Sequence, residues 1–198
     1  MVHPAIETDR IRWYRTASGF PKSRLDAALT LPDSYLTVLA EVGPGEGFVG
    51  SEYLRLYALD ELQAVNDAYQ SATYLPGHVI IGSNGCGEAF VLDLRSDPPP
   101  VIQVPFVPLD TEYAETLAAT FAQFWDHLLS AQATEEPFPP LVNEGTLGLE
   151  VTERHPIVLG GRPGVENQVL VPAIKHSELA RFWNKTFQVV RQRSQCDA

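Results

Sequence analysis

Three residues in the last third of the chain could carry catalysis. His155, Asn167 and His176 occur in that order, and a pair of glycines, Gly160 and Gly161, lies between the first two. A histidine can activate water, an asparagine side chain can orient it, and a second histidine can bind a divalent metal that stabilises a leaving oxygen. The order of these residue types therefore offers one hypothesis, a metal-dependent nuclease.

This order resembles the ββα-metal core of HNH endonucleases, which implies His155 as the base, Asn167 as the orienting residue and His176 as a metal ligand. No further metal ligand and no zinc-knuckle cysteines accompany them, and the chain carries too little positive charge to grip phosphate. The alternative is structural: the glycines form a turn, Asn167 bonds to the backbone and the histidines lie at the ends of elements. We favour this alternative, so the sequence predicts no catalytic residue, no metal site and no cofactor.

The charge of the chain narrows the classes of partner. The 198 residues include 14 Lys and Arg against 25 Asp and Glu, a net charge of −11. The negative charge lies mainly in residues 25–134, which we call the acidic region. They contain 15 acidic residues and only Arg55 and Arg95 as basic ones. Such a surface repels nucleic acid and anionic lipid and attracts a basic protein. We therefore expect a protein partner, no nucleic acid and no membrane.

Other composition features are typical of a cytoplasmic protein. No apolar run approaches the roughly 18–20 residues of a membrane span. The N-terminus lacks the unbroken apolar stretch of a signal peptide. Cys86 and Cys196 are too few for a disulfide framework, which points to a reducing compartment.

Periodicity and turn signals predict the elements that must position these side chains. Apolar residues at helical spacing predict helices over 32–42, 60–69, 112–130 and 175–193. Short apolar runs predict strands over 53–57, 79–81, 89–94, 101–104, 147–151 and 168–171. The glycines between Gly43 and Gly47 predict a break after the first helix. Because helices and strands intermingle without a β-α-β rhythm, the predicted class is α+β.

A proline-rich segment predicts the domain boundary. Pro137, Pro139 and Pro140 follow the last helix of the acidic region, and three prolines in four residues enforce extended backbone. The predicted domains are therefore residues 1–134 and an extension at residues 135–198. The extension is thin for an independent core, so we expect it to pack on the first domain. The first domain should fold alone if this boundary is right.

Residues 31–130 together resemble the SUKH superfamily. The resemblance rests on Leu-Pro-Asp-Ser-Tyr-Leu at 31–36, a glycine-rich break, Leu-Arg-Leu-Tyr at 54–57 and Leu-Asp-Glu-Leu at 59–62. It continues with Ile-Gly-Ser-Asn-Gly at 81–85, Phe-Val-Leu-Asp at 90–93 and Thr-Phe-Ala-Gln-Phe-Trp at 120–125. The founding members of this superfamily are fungal cell-wall synthesis regulators, and most members are bacterial immunity proteins.

The resemblance implies an α+β fold with an antiparallel or mixed sheet and flanking helices, to which the C-terminal segment adds a small α/β extension. It also implies a non-catalytic binding role, usually neutralisation of a cognate toxin such as a nuclease or deaminase. A basic toxin domain would meet the acidic region. Five acidic residues on or beside predicted loops are the candidates for that surface: Glu41, Glu46, Glu52, Glu88 and Asp93.

Overall fold

An eight-stranded antiparallel sheet, whose strands lie side by side in chain order, organises the protein. The computed structural model describes residues 4–24, 26, 29–131 and 145–196, so the predicted linker at 134–140 lies outside the described residues. The strands are β1 (Ile6–Glu7), β2 (Ile11–Tyr14), β3 (Gly45–Val49), β4 (Glu52–Leu56), β5 (His78–Ser83), β6 (Glu88–Asp93), β7 (Val101–Pro105) and β8 (Glu115–Ala118).

Five α-helices and a hairpin accompany this sheet in the described part of the chain. The helices are α1 (Asp33–Glu41), α2 (Leu62–Tyr69), α3 (Ser71–Tyr74), α4 (Phe121–Ser130) and α5 (Ala173–Cys196). The hairpin pairs β9 (Leu149–Glu153) with β10 (Gln168–Pro172) in a separate two-stranded sheet. The predicted α+β class is confirmed.

Strand register divides the large sheet into two faces. On the first face Trp13, Leu54 and Phe90 point towards α1 and α4, where the Phe90 and Phe124 rings lie 5.3 Å apart. Tyr35 on α1 meets Phe121 on α4 edge to face at 5.1 Å, so these two helices share one apolar layer. Aromatic pairs in this geometry stabilise a core beyond their buried area.

The second face is covered by α2, α5 and the hairpin. Asn66 on α2 fixes that helix to β5, because its side chain bonds both the N–H and the carbonyl of Ile80, at 2.9 and 3.0 Å. Tyr69, at the end of α2, stacks on Phe106 with 4.4 Å between ring centroids. Arg55 and Ser83 are register partners on this same face.

Helix α5 docks on the second face through polar side chains as well as apolar ones. Asn184 donates a hydrogen bond to the Phe106 carbonyl at 2.8 Å and accepts one from the Leu109 N–H at 2.9 Å. Ala173 and Ala180, on the same helix, belong to the apolar core that the sheet and the other helices share. The extension and the sheet therefore bury common surface. Among the described residues, no helix is both long and apolar enough to cross a membrane.

The helix expected over residues 112–130 is wrong in its first half. A 3₁₀ turn at Thr111–Tyr113 and strand β8 replace it, and α4 begins only after Thr120. The Thr120 hydroxyl accepts a hydrogen bond from the Gln123 N–H at 3.1 Å, which caps the helix there. Leu117 lies four residues before Phe121, a helical spacing, but its segment instead completes the sheet edge beside β7.

Strand β3 lies where the glycines predicted a break. A Cβ atom on Gly47 would lie 2.0 Å from the carbonyl oxygen of Arg12, and one on Gly45 would lie 2.1 Å from that of Tyr14. Strand β2 therefore approaches β3 so closely that only glycine fits. The glycines therefore allow β2 and β3 to pair. The Trp13 ring also lies close to Gly45, because its Nε1 would be 3.0 Å from a Cβ atom at that position.

Candidate functional site

A buried ion-pair cluster joins the large sheet to the hairpin. Arg55 on β4 donates hydrogen bonds to Glu46 on β3 and to Glu150 on β9, and all three side chains are at most 3% exposed. A further bond runs from Arg55 to the Leu149 carbonyl at 3.0 Å. Ser83 donates to Glu150 at 2.7 Å. We call Glu46, Arg55 and Glu150 the ion-pair cluster.

The two glutamates of the cluster keep the Arg55 guanidinium charged. Burial alone works against a charged guanidinium, but Glu150 and Glu46 outweigh it and raise the pKa of Arg55. Burial, together with the charge of Glu46, also raises the pKa of Tyr53, whose hydroxyl donates to that carboxylate. Two carboxyl groups therefore share one guanidinium inside the protein.

Glu46 is therefore not a surface residue, which corrects its place among the five partner-binding candidates. Its side chain is fully buried, and besides Arg55 and Tyr53 it accepts a hydrogen bond from the Gly148 N–H at 2.7 Å. Cross-strand pairing of Glu46 with Arg55 directs both side chains to the second face, where the hairpin covers them. The sequence signal was Arg55 itself, a lone charge within the apolar strand residues 53–57, which requires a buried partner.

Two of the five candidates stand free on the surface. Glu41 is exposed at the end of α1, and Glu52 is exposed at the start of β4, where it accepts a hydrogen bond from the Ser51 hydroxyl at 3.2 Å. Neither carboxylate has a basic partner among the described residues. Both can therefore face a cationic surface without first breaking an ion pair.

The other two candidates are held by neighbours. Glu88 is half-buried and accepts hydrogen bonds from Asn84, at 2.7 Å, and from Gln103. Asp93 accepts two from the Arg95 guanidinium, each at 2.8 Å, and this lowers the pKa of Asp93 to about 2. The two lie at opposite ends of β6, about 17 Å apart at strand rise. The five candidates thus form no single cluster.

The structure adds acidic residues that sequence reasoning did not single out. Several lie exposed on helices, on a loop and at the start of β8, with no basic partner in the described chain. They are Asp33, Asp67, Asp97, Glu115 and Asp126. Both basic residues of this region are used internally, since Arg55 is in the ion-pair cluster and Arg95 binds Asp93. Lys22 and Arg191, from outside the region, pair with Asp60, Asp110 and Glu112, and the five carboxylates above have no basic partner in the described chain.

The three residues of the nuclease hypothesis have other roles. The Asn167 side chain bonds the His155 backbone twice, accepting from its N–H at 3.0 Å and donating to its carbonyl at 2.7 Å. The His155 ring lies against Trp183, with 5.6 Å between ring centroids. His176 is 1% exposed and its Nδ1 lies 2.8 Å from the Tyr69 hydroxyl. The geometry matches the structural alternative, with Asn167 bonded to the backbone.

The surroundings of His176 bear on the metal-ligand role that the nuclease hypothesis gives it. Burial lowers the pKa of His176, and the Tyr69 hydroxyl already occupies the Nδ1 side of the ring. No group of three or more His, Cys, Asp or Glu side chains within the described residues could hold a metal ion. Arg154 and Arg162 are both exposed.

A cavity of about 190 Å³ lies between the β5–β6 turn, the end of β7 and the hairpin. Phe106, Val151, Pro156 and His176 contribute to its walls, and Cys86 lies at its rim. Burial raises the pKa of the Cys86 thiol, so this cysteine is not an activated nucleophile. The cavity is smaller than the roughly 300–1,000 Å³ typical of small-molecule sites.

Comparison with known proteins agrees with the architecture of the acidic region. The family model described as SMI1 / KNR4 family (SUKH-1) matches residues 24–127. That range begins before α1 and ends within α4, so it spans most of the large sheet and leaves out α5 and the hairpin. No curated protein gives a significant match to the chain. The chain belongs to the SMI1/KNR4 family (SUKH-1).

Proposed function

We propose that this chain is a non-catalytic immunity protein that neutralises a basic toxin domain, a nuclease or a deaminase. It binds the toxin domain through the exposed carboxylates of the acidic region. Family membership supports an immunity-like binding role. The observation that carries the finer proposal is the internal use of both basic residues in the acidic region. Arg55 is buried with two glutamates and Arg95 is bound to Asp93, so neither offsets the exposed carboxylates.

The free carboxylates give this surface its chemistry. A nuclease must present Lys and Arg side chains to phosphate, so an acidic inhibitor can occupy the same positive field. Such complementarity mainly accelerates association and selects the partner. Glu41 and Glu52 are the residues best suited to it, since both are exposed and unpaired with any basic group of the described chain.

Co-expression with a candidate toxin tests the proposal. The probe is the basic toxin-like domain encoded beside the gene of this chain, whose toxicity is measured as lost growth of the host cell. We expect the wild-type chain to restore growth and to bind the purified domain with a rate that falls as salt rises. Absence of both rescue and binding for every adjacent toxin-like domain would contradict the proposal.

A charge-reversed variant tests the surface separately from the role. Glu41→Lys together with Glu52→Lys should slow association with the toxin domain, while the fold stays intact because both residues are exposed. The matched control is Asp9→Lys, which reverses an exposed carboxylate outside the acidic region. Rescue and association rates equal to wild type in the double variant would mean that another surface binds the toxin.

A further inference from the structure

The cavity beside the hairpin is large enough for one small organic molecule. Its volume of about 190 Å³ lies below the range for drug-sized ligands but above the roughly 150 Å³ that accommodates benzene. Cys86 lies at the rim and is exposed, so the cavity opens to solvent there. A molecule that fills this space is about as large as one aromatic ring with a small substituent.

Two buried polar side chains line this cavity, and each has an atom without a hydrogen-bond partner. His176 is 1% exposed and uses its Nδ1 for the Tyr69 hydroxyl, so Nε2 is the remaining polar atom of the ring. Thr152 is 7% exposed and lines the cavity from β9. Neither His176 Nε2 nor the Thr152 hydroxyl bonds any group of the described chain. A buried polar atom without a partner is costly, and a ligand that bonds it removes that cost.

The chemistry of these two atoms suits a hydroxyl group on the ligand. Burial lowers the pKa of His176, which favours the neutral ring, in which one nitrogen donates and the other accepts. A hydroxyl bonds Nε2 in either case, because it can both donate and accept. It can bond the Thr152 hydroxyl for the same reason. A carboxylate only accepts and an ammonium group only donates, so each fits one form of the ring alone.

The other walls of the cavity favour an uncharged aromatic molecule. Phe106, Val151 and Pro156 supply apolar surface. The rings of Phe106 and His176 meet edge to face with 4.8 Å between centroids, and aromatic surfaces of this kind pack well against a further ring. Glu153 also lines the cavity, so an anion is repelled there. A cation would have to lose its hydration among apolar walls.

We propose that this cavity binds a small uncharged aromatic alcohol, a molecule of the phenol class, whose ring packs against Phe106 and Val151 and whose hydroxyl bonds His176 Nε2. The site joins two parts of the chain, because Phe106 follows β7 whereas Val151 and His176 lie outside the segment that matches the family. It uses none of the exposed carboxylates of the acidic region, so the proposal is independent of toxin neutralisation.

Titration of the isotope-labelled full chain with phenol tests the proposal, with NMR of the histidine ring nitrogens as the readout. The matched probe is toluene, which replaces the hydroxyl of phenol by a methyl group of similar size. We expect phenol to saturate the chain and to shift the Nε2 signal of His176. Toluene should bind about tenfold more weakly, because it leaves Nε2 without a partner. Benzoate should not bind, since Glu153 repels it.

The variant His176→Phe keeps a ring in place but removes Nε2, so it should bind phenol and toluene equally well. The matched control is His127→Gln on α4, an exposed position, which should keep the wild-type preference for phenol. If His176→Phe loses its unfolding transition, the comparison of phenol with toluene on the wild-type chain decides alone. Three results on that chain would overturn the proposal: no saturation by phenol, toluene binding as tight as phenol, or benzylamine binding tighter than phenol, which would indicate a cation site.

Discussion

Arg55 and Glu150 form a buried ion pair between residues 95 positions apart in the chain. The first lies on β4, inside the segment that matches the family, and the second lies on the hairpin outside that segment. Because each charge has lost its hydration, neither can be left unpaired without a large penalty. The pair therefore ties the extension to the family domain and fixes where the hairpin sits.

Removing the cation of the ion-pair cluster should destabilise the fold strongly. Arg55→Met leaves Glu46 and Glu150 buried and uncompensated, which should lower the free energy of unfolding by about 3–5 kcal/mol. Chemical denaturation of the purified chain measures this loss. Adding Glu46→Gln and Glu150→Gln to Arg55→Met removes both stranded charges, so the triple variant should be more stable than the single one.

The control for this prediction is Arg95→Met. Arg95 also binds a carboxylate, that of Asp93, but its side chain is 59% exposed, so water replaces the lost partner. We expect a much smaller loss of stability than for Arg55→Met. Equal losses for the two variants would mean that burial does not set the strength of the cluster.

Stability should fall as the solution becomes acidic because of His176. Burial lowers the pKa of His176 in the folded state below the usual value of about 6.5, so the unfolded chain takes up a proton first. The free energy of unfolding should therefore decrease as pH drops from about 7 towards 5. His176→Gln should make this dependence shallower, as measured by denaturation at several pH values.

The control for the pH prediction is His127→Gln, which replaces an exposed histidine on α4. This variant should keep the wild-type dependence on pH. If His176→Gln left the slope unchanged, burial of the imidazole against Tyr69 and Phe106 would not be its source.

Truncation after Thr134 tests the proposed domain boundary. The shortened chain keeps α1 and α4 on the first face, so we expect it to fold. It loses α5 and the hairpin, which removes His176 from Tyr69 and Phe106 and leaves Arg55 with one carboxylate instead of two. Each large apolar side chain exposed costs roughly 1.5–3 kcal/mol, so the unfolding midpoint should fall well below that of the full chain.

Two results would count against this prediction. A shortened chain without a cooperative unfolding transition would mean that α5 and the hairpin are part of one folding unit with the sheet. A shortened chain as stable as the full one would mean that the contacts of Asn184 and His176 contribute nothing to the fold.

Substitution of an exposed glutamate should change association with the toxin domain, whereas substitution of a buried one should change stability. Glu41→Lys should slow association and leave the unfolding transition in place, because Glu41 is exposed. Glu46→Gln should lower stability, because it removes a buried partner of Arg55. Association rates from surface plasmon resonance at low and high salt, combined with denaturation, separate the two effects. A destabilised Glu41→Lys variant would contradict the assignment of Glu41 to the surface rather than to the fold.

Local sequence patterns determined much of the fold. Helix α1 and strands β4 to β7 lie within one or two residues of their predicted bounds. Their apolar spacing and turn residues act over a few positions, so no distant contact is needed to read them. Four of the SUKH-like motifs, at 31–36, 54–57, 81–85 and 90–93, lie on or beside these same elements, which is why the family could be recognised from sequence.

Tertiary structure alone decided which charges face water. Glu46 and Glu41 are the same type of residue, yet Glu46 is fully buried and Glu41 is exposed. The difference arises because Arg55 pairs with Glu46 across two strands and the hairpin closes over both, a contact between segments far apart in the chain. Burial depends on such long-range packing, whereas periodicity records only local order. The sequence therefore shows that the protein is acidic, but only the tertiary structure shows which carboxylates lie on the surface.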